Sequence, residues 1–193
     1  EPYRRQRQMC IRDRLITVYA VGIEIKFRTA DEWLFVAKGN MVTAVLGKLL
    51  PYTIIFILIG WLANYVMFGI LHIPFQGSWL LMNMLTALFV VATQALGLFL
   101  FSLFPAISLI ISIVSMVGSL GATLSGVTFP VTNMYPLVRD ASYLFPVRHF
   151  TEMMQNMLYG GSGFIYLWPS VVILCIFPLL AFVSVSYTHL RAH

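Results

Sequence analysis

Charge is what this chain lacks. Only 10% of its 193 residues are Asp, Glu, Lys or Arg, against about 25% in soluble domains. Between Lys48 and Arg139 there is none at all. No water-exposed surface of that length is built without charge, so soluble folds are excluded and an integral membrane protein is implied. Cysteine is nearly absent too: Cys10 and Cys175 lie far apart, the second in an apolar run, so no bridge is expected. There is no Gly-X-Y repeat and no long polar tract, which excludes collagen-like and disordered chains. What is present in excess is hydrophobic, at 60% of residues and a mean hydropathy of +0.87.

The formal net charge of +5 comes from the ends. Residues 1–14 (EPYRRQRQMCIRDR) hold Arg4, Arg5, Arg7, Arg12 and Arg14, and the last nine residues (VSYTHLRAH) hold Arg191. Both strings resemble translated sequencing-adapter read-through, so residues 1–14 and 185–193 are expected to be artefacts and fall outside fold reasoning. The remaining Lys26, Arg28, Lys38, Lys48, Arg139 and Arg148 stand against Glu24, Asp31, Glu32, Asp140 and Glu152, a balance of +1. Net charge therefore names no partner, and nucleic acid is not expected. With neither an initiator Met nor a signal-peptide pattern at position 1, the chain reads as an internal fragment of a longer gene.

A membrane-spanning helix takes roughly 20 mostly apolar residues. Residues 51–71 supply eleven Leu, Ile, Val or Phe, worth on the order of −3 to −6 kcal/mol toward insertion. Further spans are expected at 79–104, 106–126 and 166–184, the last broken by Pro178, and the apolar 15–23 reads as the end of a truncated span. The expected fold is all-α, a polytopic helical bundle: 15–50 as the truncated span with a cytoplasmic helix, then 51–184 as the transmembrane domain. Four basic residues precede the first full span and none lies in the loop at His72, which places the Lys48 side in the cytoplasm. Alternation then makes 127–165 external, with Trp79 and Trp168 in an interfacial aromatic belt.

Thr29 and Glu32 form a capping box. The helix it starts carries Ala30, Trp33, Leu34 and Ala37 on one apolar stripe, with Asp31 in its first turn and Gly39 at its end. Pattern alone leaves this helix equally suited to a lipid surface and to a protein partner. In the third span Ser115, Gly118, Ser119, Ala122, Ser125 and Gly126 share a face of small residues, for packing within the chain or against a second subunit. Asn64, Asn83 and Gln94 are polar at membrane depth, suited to interhelical hydrogen bonds or to lining a substrate path. Residues 127–165 are too polar to span. Their breaks, Phe129-Pro130 and Tyr135-Pro136 among them, predict an external amphipathic hairpin with helices at 137–144 and 148–159, the second following Pro146 and pairing Arg148 with Glu152 at i, i+4. His72 and His149 read as isolated interfacial residues. Catalytic motifs and metal-ligand spacings are missing, and Gly47-Lys48 lacks the rest of a phosphate loop.

The order GIEIKFRTADEWL, GKLLPYTIIFILIG, charge-free spans, SGVTFPVTNMYP and YLFPVRHFTEMMQNMLYGG resembles the ABC-2 type permease, the membrane subunit of a class of ABC exporters. The resemblance covers residues 18–182. It implies that Thr29, Asp31, Glu32, Trp33, Leu34 and Ala37 form a coupling helix docked on a separate ATPase subunit, and that 127–161 is a re-entrant external hairpin. It further implies a dimer of permeases, homo- or heteromeric, in the bacterial cytoplasmic membrane. The chain would hold no cofactor and hydrolyse nothing itself, with ATP and Mg on the partner subunit, and would export a hydrophobic or amphipathic substrate. A channel or membrane scaffold is the alternative reading. An intramembrane enzyme fits less well, because the spans offer no charged or histidine dyad.

Overall fold

The computed structural model describes residues 41–72, 77–103, 107–125, 133–160 and 164–191. The coupling-helix positions Thr29, Asp31, Glu32, Trp33, Leu34 and Ala37 lie outside these, as do Gly126, Phe129, Pro130 and residues 1–14. Every described element is helical, as an apolar chain requires when each backbone amide must be satisfied without water.

Helix α1, Met41–Asn64, runs on as a π-helical segment, Tyr65–Ile70. It was expected to begin at Pro51; instead Pro51 lies inside it. An interior proline ring presses on the carbonyl four residues back. That residue is Gly47, and the loss of one hydrogen bond there is tolerated in an apolar helix packed on its neighbours, so the apolar run from Met41 joins the span. Leu46–Ile70, 25 residues, extends about 38 Å at 1.5 Å per residue, enough to cross a hydrocarbon core of about 30 Å. His72 ends it in the left-handed region (φ 49°).

Helix α2, Trp79–Leu103, is the centre of the bundle, packing against α1 and every helix described below except the shortest. Its antiparallel register with α1 is set at both ends: Asn64 meets Asn83 and Thr86, and Thr53 meets Gln94. At the turn between them the Phe68 and Trp79 rings meet edge to face, centroids 6.1 Å apart. Helix α3, Ile107–Thr123, has 17 residues, about 25 Å. Within the expected third span, 106–126, the described helix covers 107–123, and among the described residues three helices are long and apolar enough to cross a membrane, α1, α2 and the last.

The hairpin helices are α4, Pro136–Ser142, and α5, Pro146–Gln155, with a π-helical extension Asn156–Gly160. Each begins on a proline at its first turn, where the missing N–H costs nothing, so both start before the expected 137 and 148. Helix α6, Phe164–Arg191, contains Pro169 and Pro178 without interruption. The expected break at Pro178 is absent, because one lost hydrogen bond is tolerated in a helix packed on neighbours.

One core cluster joins the elements: Met67 of α1, Met82, Leu85, Phe89 and Ala92 of α2, Val147, Phe150, Met153 and Met154 of α5, Met157 beyond it, and Leu167 and Leu174 of α6. A smaller cluster holds α3 to α2 through Ile110 and Val114. Helix α5 is thus a core element, whereas α4 is exposed apart from Ser142.

Candidate functional site

The polar residues of the spans fall into two interhelical sets. Asn64 is fully buried; its side-chain amide donates to Thr86 Oγ1 at 2.9 Å and to Asn83 Oδ1 at 3.3 Å. Asn83 donates to the carbonyl of Trp79, and its own carbonyl accepts from Trp61 Nε1 at 3.1 Å. This seam ties α1 to α2, and Gly60 makes it possible: a Cβ there would stand 2.7 Å from Thr86 Cγ2. The second set is Thr53, whose hydroxyl lies 2.7 Å from Gln94 Oε1 and 2.9 Å from the Leu49 carbonyl. Thr53 and Gln94 also border a cavity of about 590 Å³ between the Lys48 end of α1, the second half of α2 and the second half of α6. Of the three polar positions singled out from sequence, Asn64 and Asn83 therefore serve helix contact, and Gln94 alone stands at an open space. The signal for Thr86 and Thr93 was legible: Asn83, Thr86, Thr93 and Gln94 recur on one helical face.

The hairpin is held at its elbow. Phe150 stacks on Phe89, centroids 4.4 Å apart and 17° from parallel. Phe89 lies ten residues along α2 from Trp79, about 15 Å, so Phe150 of α5 packs against the middle of α2. Phe145, before α5, packs on α3 at Gly121, where a Cβ would stand 3.0 Å from its ring. Arg148 is 5% exposed; one terminal nitrogen lies 3.4 Å from the Ser125 carbonyl and its guanidinium 5.7 Å from the Tyr143 ring centre. The expected Arg148–Glu152 pair is not formed, because Arg148 turns toward α3 and leaves its Nε buried without a hydrogen-bond partner. Arg139 and Asp140 form an ion pair, 3.8 Å apart on exposed α4.

His149 is not interfacial: it is 1% exposed. Its Nε2 lies 2.9 Å from the Tyr143 carbonyl. A carbonyl only accepts, so Nε2 carries the proton and Nδ1 is left as a buried acceptor without a partner. Burial holds its pKa below the ordinary 6.5, opposed by the Tyr143 hydrogen bond and by Glu152, and assisted by Arg148. On α3, Gly118 and Ala122 are buried within the chain, as is Ser125 just beyond it, while Ser119 faces outward and Ser115 is half-buried. The small-residue face thus lies at the border of the packed side. Among the described residues no group of three or more His, Cys, Asp or Glu is placed to hold a metal.

Comparison with known proteins adds the relationship. Residues 16–187 match the family described as ABC-2 family transporter protein. The inner membrane transport permease YhhJ of Escherichia coli (strain K12) is 31% identical over 109 residues, 55% of this chain and 28% of that protein. The probable multidrug ABC transporter permease YbhS of the same organism is 27% identical over 122 residues, 61% of this chain and 32% of that protein. The chain thus spans about a third or less of the length of these relatives. No solved structure matches. With the family match running from before α1 to the last turns of α6, this chain belongs to the ABC-2 family of transporter proteins.

Proposed function

We propose that the chain is the permease part of an ATP-driven exporter of the bacterial cytoplasmic membrane, working as a dimer beside a separate ATPase that binds ATP and Mg. The observation that carries this reading is the family match over residues 16–187, which includes the capped segment 29–38 and all described helices. In this reading Thr29, Asp31, Glu32, Trp33, Leu34 and Ala37 dock on the ATPase. Their motion passes into α1, which starts three residues after Lys38, and through the Asn64–Thr86 and Thr53–Gln94 contacts into α2. Phe89 then connects α2 to the hairpin at Phe150. ATP binding would shift the bundle between two states, to the extent that the ATPase grips one of them more tightly.

The test is transport by the full-length gene product reconstituted with its ATPase in proteoliposomes. ATP-dependent movement of a hydrophobic dye away from the ATPase-bearing face, abolished by vanadate, is expected. Movement that needs no ATP would support a channel instead, and absence of any ATPase on purification from native membranes would support a scaffold.

A further inference from the structure

The first turn of α5 buries two basic side chains in succession, and neither is fully satisfied. Arg148 reaches the Ser125 carbonyl with one terminal nitrogen, at 3.4 Å, and leaves Nε without a partner. His149 donates from Nε2 to the Tyr143 carbonyl, six residues back, at 2.9 Å and leaves Nδ1 as a buried acceptor with no donor. Both side chains share one neighbour: the Tyr143 ring centre lies 5.7 Å from the Arg148 guanidinium and 5.8 Å from the imidazole centre. The imidazole thus closes the turn between α4 and α5, at the point where Phe145 packs on α3 and Phe150 on α2.

A proton added to His149 has one place to go, Nδ1. There it makes a buried N–H with no acceptor and a second positive charge beside Arg148. The first turn of a helix disfavours a cation as well. The groups able to offset this charge are few. Glu152, three residues on and half-buried, favours the protonated form. Asp140 is engaged with Arg139 on the exposed side of α4. Helices α2 and α3, which pack on α5, carry no Asp, Glu, Lys, Arg or His, and neither does Asn156–Gly160. In α6 such residues are confined to His189 and Arg191, at its far end. Burial outweighs Glu152, so the imidazole resists protonation while the turn is closed.

We propose that His149 is a proton-operated latch: neutral, it keeps the start of α5 seated on α2 and α3; protonated, it reaches water only by opening the turn, so acid releases the elbow while the spans stay folded. Partial openings of this kind are a normal part of native-state motion. The latch needs no ATP and stands apart from the exporter reading. Its range follows from linkage. The imidazole titrates near its ordinary 6.5 when open and lower when closed, so the open fraction rises as pH falls through 6.5, by up to about tenfold between pH 7.5 and 5.5.

The test is hydrogen exchange, read by mass spectrometry, on the full-length gene product in nanodiscs at pH 7.5 and 5.5, with rates corrected for intrinsic exchange chemistry. Protection of the amides of 143–155 is expected to fall by up to about tenfold at pH 5.5 while α2 stays protected. His149→Gln, which still donates to the Tyr143 carbonyl but cannot titrate, should give equal protection at both pH values. Glu152→Gln should keep the pH response, because the imidazole remains. Wild-type protection that does not change with pH would overturn the proposal, as would loss of protection in step with α2, which is unfolding of the whole bundle. A persisting response in folded His149→Gln would overturn it too. If His149→Gln does not fold, Glu152→Gln decides: a retained response assigns the titration to His149, and a lost one moves it to the carboxylate and removes the latch.

Discussion

At Gly60 the backbones of α1 and α2 come so close that a single methyl group decides their packing. The atom a new Cβ would meet, Thr86 Cγ2, cannot swing away, because Thr86 is β-branched and its hydroxyl is held between the Met82 carbonyl and the Asn64 amide. Gly60→Ala should therefore cost about 1–3 kcal/mol, the usual penalty for overpacking. Thr86→Ser, which removes the methyl and keeps the hydroxyl, should restore most of it in the double variant; thermal melting in detergent reads both, and no rescue would place the strain elsewhere. His149 yields a pH prediction at the same scale. Its pKa in the folded protein lies below 6.5, so below pH 6.5 the unfolded chain binds the proton more readily and stability falls as pH falls. Wild type should lose melting temperature between about pH 7.5 and 5.5, and His149→Gln, which still donates to Tyr143, should flatten that part of the profile. Equal slopes in the two proteins would remove His149 as the cause.

Among the elements, α5 shows how far hydropathy carries. Charge-free stretches made the spans legible, since nothing but lipid or protein accepts them, and Trp79 opens α2 as read. Their ends are less so: Pro51 resembles a helix start, yet α1 runs through it from Met41. The third stretch, 106–126, counts as a span by composition, yet α3 stops at Thr123 and the Ser125 carbonyl faces Arg148. Helix α5 reads as amphipathic from sequence, and alternation of the spans makes it external; its burial in the core shows in the stacking of Phe150 on Phe89, a long-range contact with no local signature. Phe150→Ala should therefore cost about 3–5 kcal/mol, as aromatic truncation in a core does, and should expose the elbow to proteolysis before the spans unfold. Topology can be checked on the same hairpin. Ser142 is buried, whereas Leu137 is well exposed, so in a Cys175→Ser background Leu137→Cys should react with an impermeant thiol reagent in intact cells. Reaction only in inverted vesicles would reverse the orientation.

On the scale of the whole molecule, burial is uneven: 50% of the α2 span is buried, against 22% for α6 and 11% for α1. Helix α2 is thus the hub, and α1 is tied to it by two sets of polar contacts and the close approach at Gly60, with Met67 of its extension in the core. Helix α1 is also the helix next in sequence to residues 29–38, where the sequence pattern predicts a capped helix. Trp33 is the large aromatic on the apolar stripe of that segment, the kind of residue that dominates an interface, at about 2 kcal/mol or more when truncated. If the segment docks on an ATPase, Trp33→Ala in the full-length protein should reduce export and ATPase co-purification while leaving melting temperature unchanged, because an anchor seated on a partner subunit contributes to the interface rather than to the fold. Phe150→Ala should do the reverse, keeping the ATPase bound while export falls, since it cuts the connection at its far end. If the segment lies on lipid instead, Trp33→Ala should leave subunit association intact and weaken only membrane contact. Unchanged association and unchanged export in both Trp33→Ala and Glu32→Ala would remove the coupling role, and with it the route from ATPase to hairpin through α1.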